Sequence, residues 1–426
     1  MKYRAAIVAL ALAVSGTPAG AQSGSTKPLQ IYVVDTEGGK ATLFVSPTGQ
    51  TALLDSGNPG GRDTDRLMLA IADAGVTKID YLITTHYHID HVGGMQELAK
   101  RIPIGTFVDH GPSVEEREQS PGFQAAYAEL HGKAKHLVVK PGDRIPITGF
   151  EWRVVSSAGQ VLKTPLPGGG KPNPACAGFT PKDITNDPEN GQSLGSVMIL
   201  GQFRAIDLGD LLWNKEHELM CPTNPIGTVD LYLVTHHGTD SSGPAASVHG
   251  LQPRVAVMQN GTRKGAGTQV MPIMRSSPGL EDIWQLHWSY GAGIEQNSAG
   301  VFIANVEDAA TTAAALTAPP RGGGGGRGGA PGAGAPPAAG GAPPAIVSPP
   351  IVSPVITAPS AAVPPAAPGA TGGGGGGGQG GGRGAPPPPH TPAYWIKITA
   401  QPDGSFTVSN SRNGYSKTYA ARPRAR

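Results

Sequence analysis

The sequence has few cysteines and almost no net charge, and each shortage excludes a class of protein. Its 426 residues include two cysteines, too few for a disulfide-rich scaffold or a four-cysteine zinc site. The formal charge is +2 at pH 7, which argues against a strongly basic or acidic tail. A nucleic-acid partner that binds in a local basic groove stays open, but the overall charge does not support one.

Glycine and proline are the residues in excess. The chain has 63 Gly and 42 Pro, and residues 321–390 alone hold 23 Gly and 16 Pro. This window has no Gly-X-Y period, which excludes a collagen helix, and it has too little apolar surface to fold. We therefore predict a disordered segment here. The remainder of the chain is long enough for one core of roughly 300 residues or for two small ones.

The first residues of the chain have the pattern of a secretory signal. Lys2 and Arg4 precede the apolar run 5–14, and the small residues 19–21 follow it. A bilayer span needs about 20 apolar residues, so this run predicts a cleaved signal peptide and no membrane span. We expect a periplasmic or secreted protein. Such a compartment favours one disulfide between Cys176 and Cys221. Two free thiols are the alternative.

Alternating strand and helix patterns predict a layered α/β fold. The predicted strands are 29–34, 41–46, 51–54, 79–84, 104–108, 152–156, 197–200, 204–208, 231–234 and 255–258, and the predicted helices are 63–74, 95–100, 123–131 and 279–286. Residues 159–192 have the composition of a long loop. Beyond the low-complexity segment, residues 394–399 and 406–409 predict a β-hairpin. Since an isolated hairpin is marginally stable, we expect it to dock on the preceding domain.

The strongest functional signal is His86-Tyr87-His88-Ile89-Asp90-His91, directly after the predicted strand 79–84. Buried histidine and aspartate cost several kcal/mol unless they are paired or bind a metal. Neutral imidazole and carboxylate are ligands that zinc prefers. The spacing lets His86 and His88 point the same way, while Asp90 and His91 serve a second position. The glycines at 93 and 94 permit a tight turn and a close backbone approach.

This motif resembles the His-x-His-x-Asp-His signature of the metallo-β-lactamase superfamily, and the resemblance extends over most of residues 29–305. Asp55 in Leu-Leu-Asp-Ser-Gly resembles the family's structural aspartate at a strand end. Asp210 after Gly209 resembles the carboxylate that bridges two metals, and His236-His237-Gly238 resembles the late histidine motif. The most similar subgroups are free-standing relatives of the hydrolase domain of competence (DNA-uptake) proteins and the phosphorylcholine esterases. The resemblance implies an αββα sandwich.

The sequence departs from the family pattern at two places. Lys40 stands where the competence-type subgroup usually has an acidic residue. The third histidine that many members supply to the first metal is not evident. Asn190 and Ser193 lie near its place in the sequence, and His110 is a rival for the role.

The resemblance implies two divalent metal ions, zinc or alternatively manganese. His86 and His88 hold the first ion, Asp90 and His91 hold the second, and Asp210 bridges them. One of the two neighbouring histidines completes the second site, with His237 preferred over His236, and the other faces the substrate. Ions roughly 3.5–4 Å apart share a reactive hydroxide, and a nearby histidine protonates the leaving group. The predicted catalytic residues are Asp90 and His236.

Three functions are compatible with these residues. The favoured one is an exported hydrolase of a phosphodiester or phosphoryl ester, because the β-lactam cleavers of the family as a rule lack an aspartate at the position of Asp210. A β-lactam or lactone ring hydrolase is the alternative. A non-catalytic module braced by metal is the third, although structural zinc sites usually close with cysteines. The predicted partner is accordingly a small-molecule or phosphodiester substrate.

These observations together give a domain organisation. We predict a signal peptide, a metallo-β-lactamase-like hydrolase domain, a disordered Gly/Pro/Ala-rich insertion, a C-terminal β-hairpin that completes the hydrolase domain, and a basic tail. Their boundaries are 1–21, 22–308, 309–392, 393–420 and 421–426.

Overall fold

The computed structural model of the protein describes residues 27–114, 120–184, 187–306 and 393–422. The predicted signal peptide and the low-complexity segment 309–392 lie outside these residues, so their predictions stay untested. All described residues belong to one unit of the chain. Within them, no helix has both the length and the apolar character needed to cross a membrane.

The described residues form two nine-stranded sheets. The strands of the first sheet are β1 (Leu29–Val33), β2 (Thr42–Val45), β3 (Thr51–Leu54), β4 (Ile79–Ile83), β5 (Ile104–Asp109), β6 (Lys135–Val138), β18 (Ile396–Ala400), β19 (Phe406–Asn410) and β20 (Ser416–Tyr419). Their order in space is β20-β19-β18-β1-β2-β3-β4-β5-β6. Strands β3 to β6 are parallel to one another, and the rest of the sheet is antiparallel.

The second sheet has an antiparallel part followed by a parallel part. Its strands are β7 (Arg144–Ile145), β8 (Glu151–Ser157), β9 (Gln160–Val161), β11 (Gly195–Leu200), β12 (Phe203–Asp207), β14 (Leu231–Leu233), β15 (Val255–Met258), β16 (Asp282–His287) and β17 (Ile303–Asn305). The order is β17-β16-β15-β14-β12-β11-β8-β7, with β9 paired to β8. Strands β12 and β14 to β17 run parallel. The short strands β10 (Lys171–Pro172) and β13 (Thr223–Asn224) pair separately.

The two sheets pack face to face, and helices cover their outer faces. In β1, Ile31 and Val33 enter the core between the sheets, while Tyr32 packs on the helix side, as the alternation of side chains along a strand requires. The fold class predicted from the sequence, an αββα sandwich, is confirmed. The helices are α1 (Arg62–Asp73), α2 (Ile89–Val92), α3 (Met95–Arg101), α4 (Ser120–His131), α5 (Trp213–Met220), α6 (Ala245–Leu251) and α7 (Val270–Arg275).

The C-terminal strands complete the first sheet. Strand β18 pairs antiparallel with β1, from Leu29 opposite Ala400 to Val33 opposite Ile396. The sequence predicts a two-stranded hairpin here, and β20 adds a third strand to it. Their apolar side chains, such as Phe406 and Val408, join the core between the sheets.

One predicted helix is wrong. Residues 279–286 were expected to be helical, but Asp282–His287 form strand β16, parallel to both β15 and β17. The reason is the period of burial, since Trp284 and Leu286 enter the core between the sheets while Ile283 packs against the helix layer. Alternation of this kind is strand-like. Tertiary pairing on both sides determines the conformation of the segment.

The two cysteines form a disulfide, as the sequence predicts. Cys176 and Cys221 are bonded across a sequence separation of 45 residues. The bond fixes the short helical turn at Cys176 to the end of α5. No free thiol is present in the described part of the chain.

Among the contacts that join the described chain on the two sides of the low-complexity segment is a reciprocal pair of hydrogen bonds between Asn305 and Tyr394. The side-chain amide of Asn305 donates to the carbonyl of Tyr394 at 3.1 Å and accepts from the amide of Tyr394 at 2.9 Å. Closing a flexible loop costs little more as it lengthens. The fold therefore does not require a particular length of chain between these two residues.

Deleting residues 318–390 should leave the protein folded, with a free energy of unfolding within about 1 kcal/mol of the full chain. Chemical denaturation and metal content of the two proteins measure this. The Asn305→Ala substitution in the shortened chain is the comparison, since it removes one of the contacts that hold the two ends together. A shortened protein that is unfolded would show that the deleted segment contributes to the fold.

A buried carboxyl group on α5 makes stability depend on pH. Glu216 is inaccessible to solvent, and one of its oxygens accepts from the amide of Gly243 at 2.7 Å. Burial raises the pKa of Glu216 from 4.5 to about 7, against the opposing hydrogen bond from Gly243. Because the folded state holds the proton more tightly, the stabilisation is complete below about pH 4.5 and is lost as the pH rises through 7.

Replacing the carboxyl group of Glu216 by an amide should make the stability less dependent on pH. We expect the stability of wild type relative to Glu216→Gln to fall between pH 4.5 and 7, by up to about 3 kcal/mol. Urea denaturation at a series of pH values measures the difference. Glu218→Gln, on the exposed side of the same helix, is the control and should track wild type. Parallel pH profiles for wild type and Glu216→Gln would contradict the assignment.

Candidate metal centre

The predicted ligands gather where strands of both sheets end. The motif 86–91 follows β4, Asp210 follows β12, and the histidines at 236 and 237 follow β14. Each of these strands has a parallel neighbour in its sheet. Side chains that follow the carboxyl ends of parallel strands meet at one edge, where open α/β sheets bind ligands.

Four side chains surround one point of this centre. The Nε2 atoms of His91 and His237 lie 3.2 Å apart. Asp210 Oδ2 is 3.3 Å from the first of these atoms and 3.2 Å from the second. Asp90 Oδ2 lies 3.6 Å and 3.4 Å from the same two atoms. Tetrahedral zinc with bonds near 2.0–2.1 Å sets its ligand atoms about 3.3 Å apart, so this group has the spacing of one site.

A second group adjoins the first through Asp210. His86 Nε2 lies 3.0 Å from His88 Nδ1 and 4.0 Å from Asp210 Oδ2. His86, His91 and Asp210 bring ligand atoms within 4.8 Å of one another. Asp210 thus faces both groups, which is the position that the sequence predicts for a bridging carboxylate.

The surrounding protein holds one ring nitrogen of each histidine in the first group. His91 Nδ1 lies 2.8 Å from Asp55 Oδ2, and His237 Nδ1 lies 3.0 Å from the carbonyl oxygen of Gln259. Both partners are acceptors, so Nδ1 carries the proton in each imidazole. In the neutral ring, Nε2 then has its lone pair toward the centre, as metal binding requires.

The same reasoning applies to His86 and His236. The Thr85 hydroxyl donates to Asp55 at 2.7 Å, so its oxygen is left to accept from His86 Nδ1 at 3.1 Å. The Ser242 hydroxyl donates to the carbonyl of Leu211, and its oxygen lies 3.1 Å from His236 Nδ1. Both imidazoles therefore also present Nε2. His236 Nε2 is 3.5 Å from Asp210 Oδ2.

His88 is oriented the other way. Its Nδ1 faces His86, and its Nε2 lies 3.1 Å from Oδ1 of Asp187. Asp187 and His88 are both buried. The sequence gives no signal for Asp187, because it lies within the long loop 159–192 and belongs to no recognisable motif.

The two carboxylates of the centre are ionised in spite of their burial. Burial opposes ionisation of Asp90, but Lys264, His91 and His237 hold its pKa well below the usual range. Burial likewise opposes ionisation of Asp210, and the three histidines around it hold its pKa far below normal. The other oxygen of Asp210 is buried and has no hydrogen-bond partner among the described residues. A buried anionic oxygen in that position favours a cation as its partner.

The histidines differ in their affinity for a proton. Burial and the neighbouring imidazoles of His91 and His88 lower the pKa of His86. Burial lowers the pKa of His236 to about 4 against the attraction of Asp210. Burial would lower the pKa of His91 too, but Asp210, Asp90 and Asp55 raise it to about 10. The carboxylates around His91 thus create a negative electrostatic potential that favours a positive charge at this position.

Two lysines belong to the surroundings of the centre. Lys264 Nζ lies 2.6 Å from Asp90 Oδ2 and is 36 % exposed. The sequence pattern does not identify it, although it follows β15 on the same edge of the sheet as His237. Lys40, which replaces the acidic residue of related proteins, is buried and pairs with Asp207 at 2.6 Å. That pair neutralises a buried carboxylate three positions before Asp210.

The candidates for the missing third ligand of the first site have different surroundings. His110 lies 2.9 Å from Glu189 and packs against the ring of Tyr87. Ser193 Oγ accepts from the amide of Asp210 at 3.1 Å. The buried amide oxygen of Asn190 has no hydrogen-bond partner in the described part of the chain. Asn190 therefore has a free buried oxygen to offer, whereas the other two are engaged elsewhere.

Unusual backbone conformations set the directions of these side chains. Asp55, His236 and His237 have φ values of 60°, 53° and 56°, a region that non-glycine residues rarely adopt. Such strain concentrates at functional sites. The predicted close approach at the glycines is present, since a Cβ on Gly94 would lie 2.1 Å from the carbonyl oxygen of Ser56.

The donor set fits divalent metal. Imidazole nitrogens with free lone pairs, ionised carboxylates and ligand spacing near that of tetrahedral zinc occur together. Every residue that the sequence predicts as a ligand lies in one of the two groups: His86, His88, Asp90, His91, Asp210 and His237. The division of roles between His236 and His237 stays a prediction, with His237 among the tightly spaced atoms.

Comparison with known proteins gives one match to a family and several partial relatives. Residues 35–178 match the model of the metallo-beta-lactamase superfamily. ComE operon protein 3 of Bacillus subtilis (strain 168) is 29 % identical over 187 residues, which are 44 % of this chain and 20 % of the relative. A hydroxyacylglutathione hydrolase of Klebsiella pneumoniae is 30 % identical over 95 residues, 22 % of this chain and 31 % of the relative. The chain thus spans less than a third of the length of either.

The matches to solved structures have lower sequence identity. The metallo-beta-lactamase fold protein YhfI from Bacillus subtilis has a TM-score of 0.37 and 12 % identity, and the match covers 60 % of this chain and 96 % of that protein. A metal-dependent hydrolase from Parabacteroides distasonis has a TM-score of 0.35 and 14 % identity, covering 61 % and 93 %.

Removing the charge that orients His91 should weaken metal binding. In Asp55→Asn, the acceptor for His91 Nδ1 and Thr85 becomes a neutral amide, so we expect the affinity for the more tightly bound zinc to fall about 10- to 100-fold. Competition with a chromophoric chelator measures it. Asp65→Asn, a substitution of an exposed aspartate on α1, is the control. Equal affinities in the two variants would exclude the orienting role of Asp55.

Proposed function

We propose that this protein is a metal-dependent hydrolase that acts on a phosphodiester or phosphoryl ester outside the cytoplasm. The observation that carries the proposal is the position of Asp210 between two adjacent groups of ligand atoms. Its Oδ2 lies 3.2 Å from His237 Nε2 and 4.0 Å from His86 Nε2. Such an arrangement suits two neighbouring divalent ions.

Divalent ions bound in these groups supply an acidified water as the nucleophile and neutralise negative charge on the reacting oxygens. The chain's own contribution is orientation and charge. Asp55 and Thr85 hold His86 and His91 with their Nε2 atoms toward the centre. Asp90 adds a carboxylate to the group formed by His91 and His237.

We propose for His236 a role other than that of the acid that protonates the leaving group. Its low pKa, about 4 because of burial, leaves it neutral near pH 7, and its Nδ1 is engaged by Ser242. It therefore presents an unprotonated Nε2. We propose that His236 accepts a proton or contacts the metal centre, while solvent protonates the leaving group.

The charge beside the centre supports an anionic substrate. Lys264 is partly exposed and its ammonium lies against Asp90. A phosphoryl oxygen is the ligand that a lysine near a metal centre commonly binds. The overall charge of the chain does not support a long nucleic acid, so a small phosphodiester is the proposed substrate.

A carbonyl substrate is the second candidate. One relative of this chain is a hydroxyacylglutathione hydrolase, and the same centre can direct water at a carbonyl carbon. A lactone or a β-lactam belongs to this class. A module in which the metal only braces the fold is the third candidate.

The proposed compartment rests on two features of the chain. The first 21 residues have the charge and apolar pattern of a secretory signal, and Cys176 and Cys221 form a disulfide. Disulfides persist in the periplasm and outside the cell. We propose a periplasmic or secreted enzyme.

A chromogenic panel tests the reaction class. After reconstitution with Zn²⁺ or Mn²⁺, we expect turnover of bis(p-nitrophenyl) phosphate and little turnover of nitrocefin or an aryl lactone. Asp210→Ala should lose metal content and at least about 100-fold in kcat/KM together, because it removes the shared carboxylate. Asp143→Ala, in an exposed turn, is the control.

The outcomes separate the three candidates. Turnover of the lactone or nitrocefin with an inert phosphodiester would replace the proposal by the carbonyl alternative. Bound metal with no turnover of any substrate would favour the braced module. An Asp210→Ala variant with an unchanged rate would eliminate the bridging role.

A further inference from the structure

We propose that Lys264 weakens the second metal site, formed by Asp90, His91, His237 and Asp210, and that a phosphoryl anion relieves this effect. The Lys264 ammonium contacts the carboxylate oxygen that Asp90 offers to a divalent ion, so the ion and the substrate anion bind cooperatively. The inference rests on the proposed function, because it takes up the metal centre and the anionic substrate. It goes further in giving Lys264 control over metal occupancy.

The first support is that one oxygen faces both the ammonium and the ligand group. Asp90 Oδ2 accepts a hydrogen bond from Lys264 Nζ at 2.6 Å. The same oxygen lies 3.4 Å from His237 Nε2 and 3.6 Å from His91 Nε2. A divalent ion bonded to this oxygen is therefore within roughly 5 Å of the ammonium, the sum of a metal–oxygen bond and a hydrogen bond. Two positive charges at such a separation repel each other.

The second support is the way in which the chain holds Lys264 beside the site. The carbonyl of Lys264 accepts from the amide of Gly261 at 3.0 Å. Its aliphatic stem passes close to Gly38, where an added Cβ would lie 3.3 Å from both Cβ and Cδ of the lysine. The next residue, Gly265, approaches the late histidine motif so closely that an added Cβ would lie 2.0 Å from the carbonyl oxygen of His237. These contacts fix the position of the ammonium at the rim of the second site.

The third support is that the ammonium of Lys264 also reaches solvent. The lysine side chain is more exposed than that of Asp90, 36 % against 19 %. Among the described residues, Asp90 is the only carboxylate in contact with this ammonium. An ammonium group has three N–H donors, so Lys264 can donate to an anion on its exposed side. A phosphoryl oxygen bound there offsets the positive charge and reduces its repulsion of the ion.

The binding of the ion and of the anion is therefore coupled. An anion that offsets the charge of Lys264 raises the affinity of the second site for the ion, and thermodynamic linkage requires the ion to raise the affinity for the anion by the same factor. The first site, based on His86 and His88, does not include the oxygen that Lys264 contacts. Its affinity should consequently change less than that of the second site.

The competing role for Lys264 is purely structural. In that role the ammonium holds the Asp90 carboxylate in its direction toward His91 and His237, and loss of the lysine would lower the affinity of the second site. The proposed role predicts the opposite sign, because loss of a neighbouring positive charge favours a cation. The direction of the change in metal affinity therefore distinguishes the two roles.

Competition with a chromophoric chelator measures the stepwise affinities of the full chain for Zn²⁺. The step that Asp90→Ala abolishes is assigned to the second site. In Lys264→Met, which keeps a long side chain without its charge, we expect the second ion to bind about 10-fold more tightly than in wild type. Lys264→Arg retains the charge and should resemble wild type. An affinity in Lys264→Met equal to or lower than that of wild type would overturn the inference.

A matched control removes a lysine that pairs with a carboxylate away from the predicted ligands. Lys133 on the surface pairs with Glu129 of α4 at 2.7 Å, and both side chains are exposed. Lys133→Met should leave both zinc affinities at their wild-type values. If Lys133→Met tightened the second ion as much as Lys264→Met does, the effect would come from net charge alone and the inference would fail.

Inorganic phosphate tests the coupling to an anion. The titrations are repeated in excess phosphate, with a correction for the zinc that phosphate itself binds. We expect phosphate to tighten the second ion in wild type about 5-fold, and to do so less in Lys264→Met, where the anion loses its ammonium partner. An equal effect of phosphate on the two proteins would overturn the coupling.

The results distinguish this inference from the proposed function. Wild-type protein that binds no divalent ion would refute both. Wild-type protein that hydrolyses a phosphodiester, with a second ion that Lys264→Met binds no more tightly, would refute only the role of Lys264. Tighter binding in Lys264→Met together with turnover of a lactone alone would support that role and refute the phosphodiester substrate. If Lys264→Met does not fold, Lys264→Gln removes the same charge and decides the matter.

Discussion

The metal centre depends on one constraint. The protein must determine which ring nitrogen of each histidine carries the proton and which keeps a lone pair for metal. Five histidines converge at the ends of strands, and a histidine that turned its protonated nitrogen inward would add a donor where a lone pair is needed. The Asp55 carboxylate prevents this for His91 directly and for His86 through the Thr85 hydroxyl. One buried carboxylate thereby serves both groups of ligand atoms. The strained backbone of Asp55 is the conformation in which its side chain can reach both partners.

The same arrangement explains why so many charges can be buried together. Isolated carboxylates at this depth would be too costly to leave ionised, but each one here has a cationic or donor partner. Lys40 neutralises Asp207 beneath the centre, and Lys264 lies against Asp90 at its rim. The negative field that remains is concentrated around Asp210 and raises the pKa of His91 to about 10, against the effect of burial. A divalent cation bound by these atoms would balance that field better than a proton.

The sequence predicts those parts of the site in which contacting residues are close together along the chain. The motif 86–91 places its ligands within a run of six residues after β4, and the resemblance that this motif carries implies the sandwich. Sequence reasoning failed where the contact depends on tertiary structure. Strand β16 has a composition that also suits a helix, and only pairing with β15 and β17 determines its form. Asp187 reaches His88 because bonds from Glu189 and Leu194 fix its segment, and nothing in the local sequence indicates those bonds.

The segment rich in glycine and proline is compatible with the fold around the metal centre because the described residues on its two sides lie next to each other. Asn305 ends β17, and Tyr394 precedes β18, so the reciprocal hydrogen bonds between them join the two sheets. Strand β17 is parallel to β16, and its carboxyl end therefore lies on the edge of the second sheet that also carries Asp210 and His237. The two sheets close whatever length of chain intervenes, since the loop-closure cost grows only slowly with length. Sequence between these residues is consequently free to vary without loss of the core.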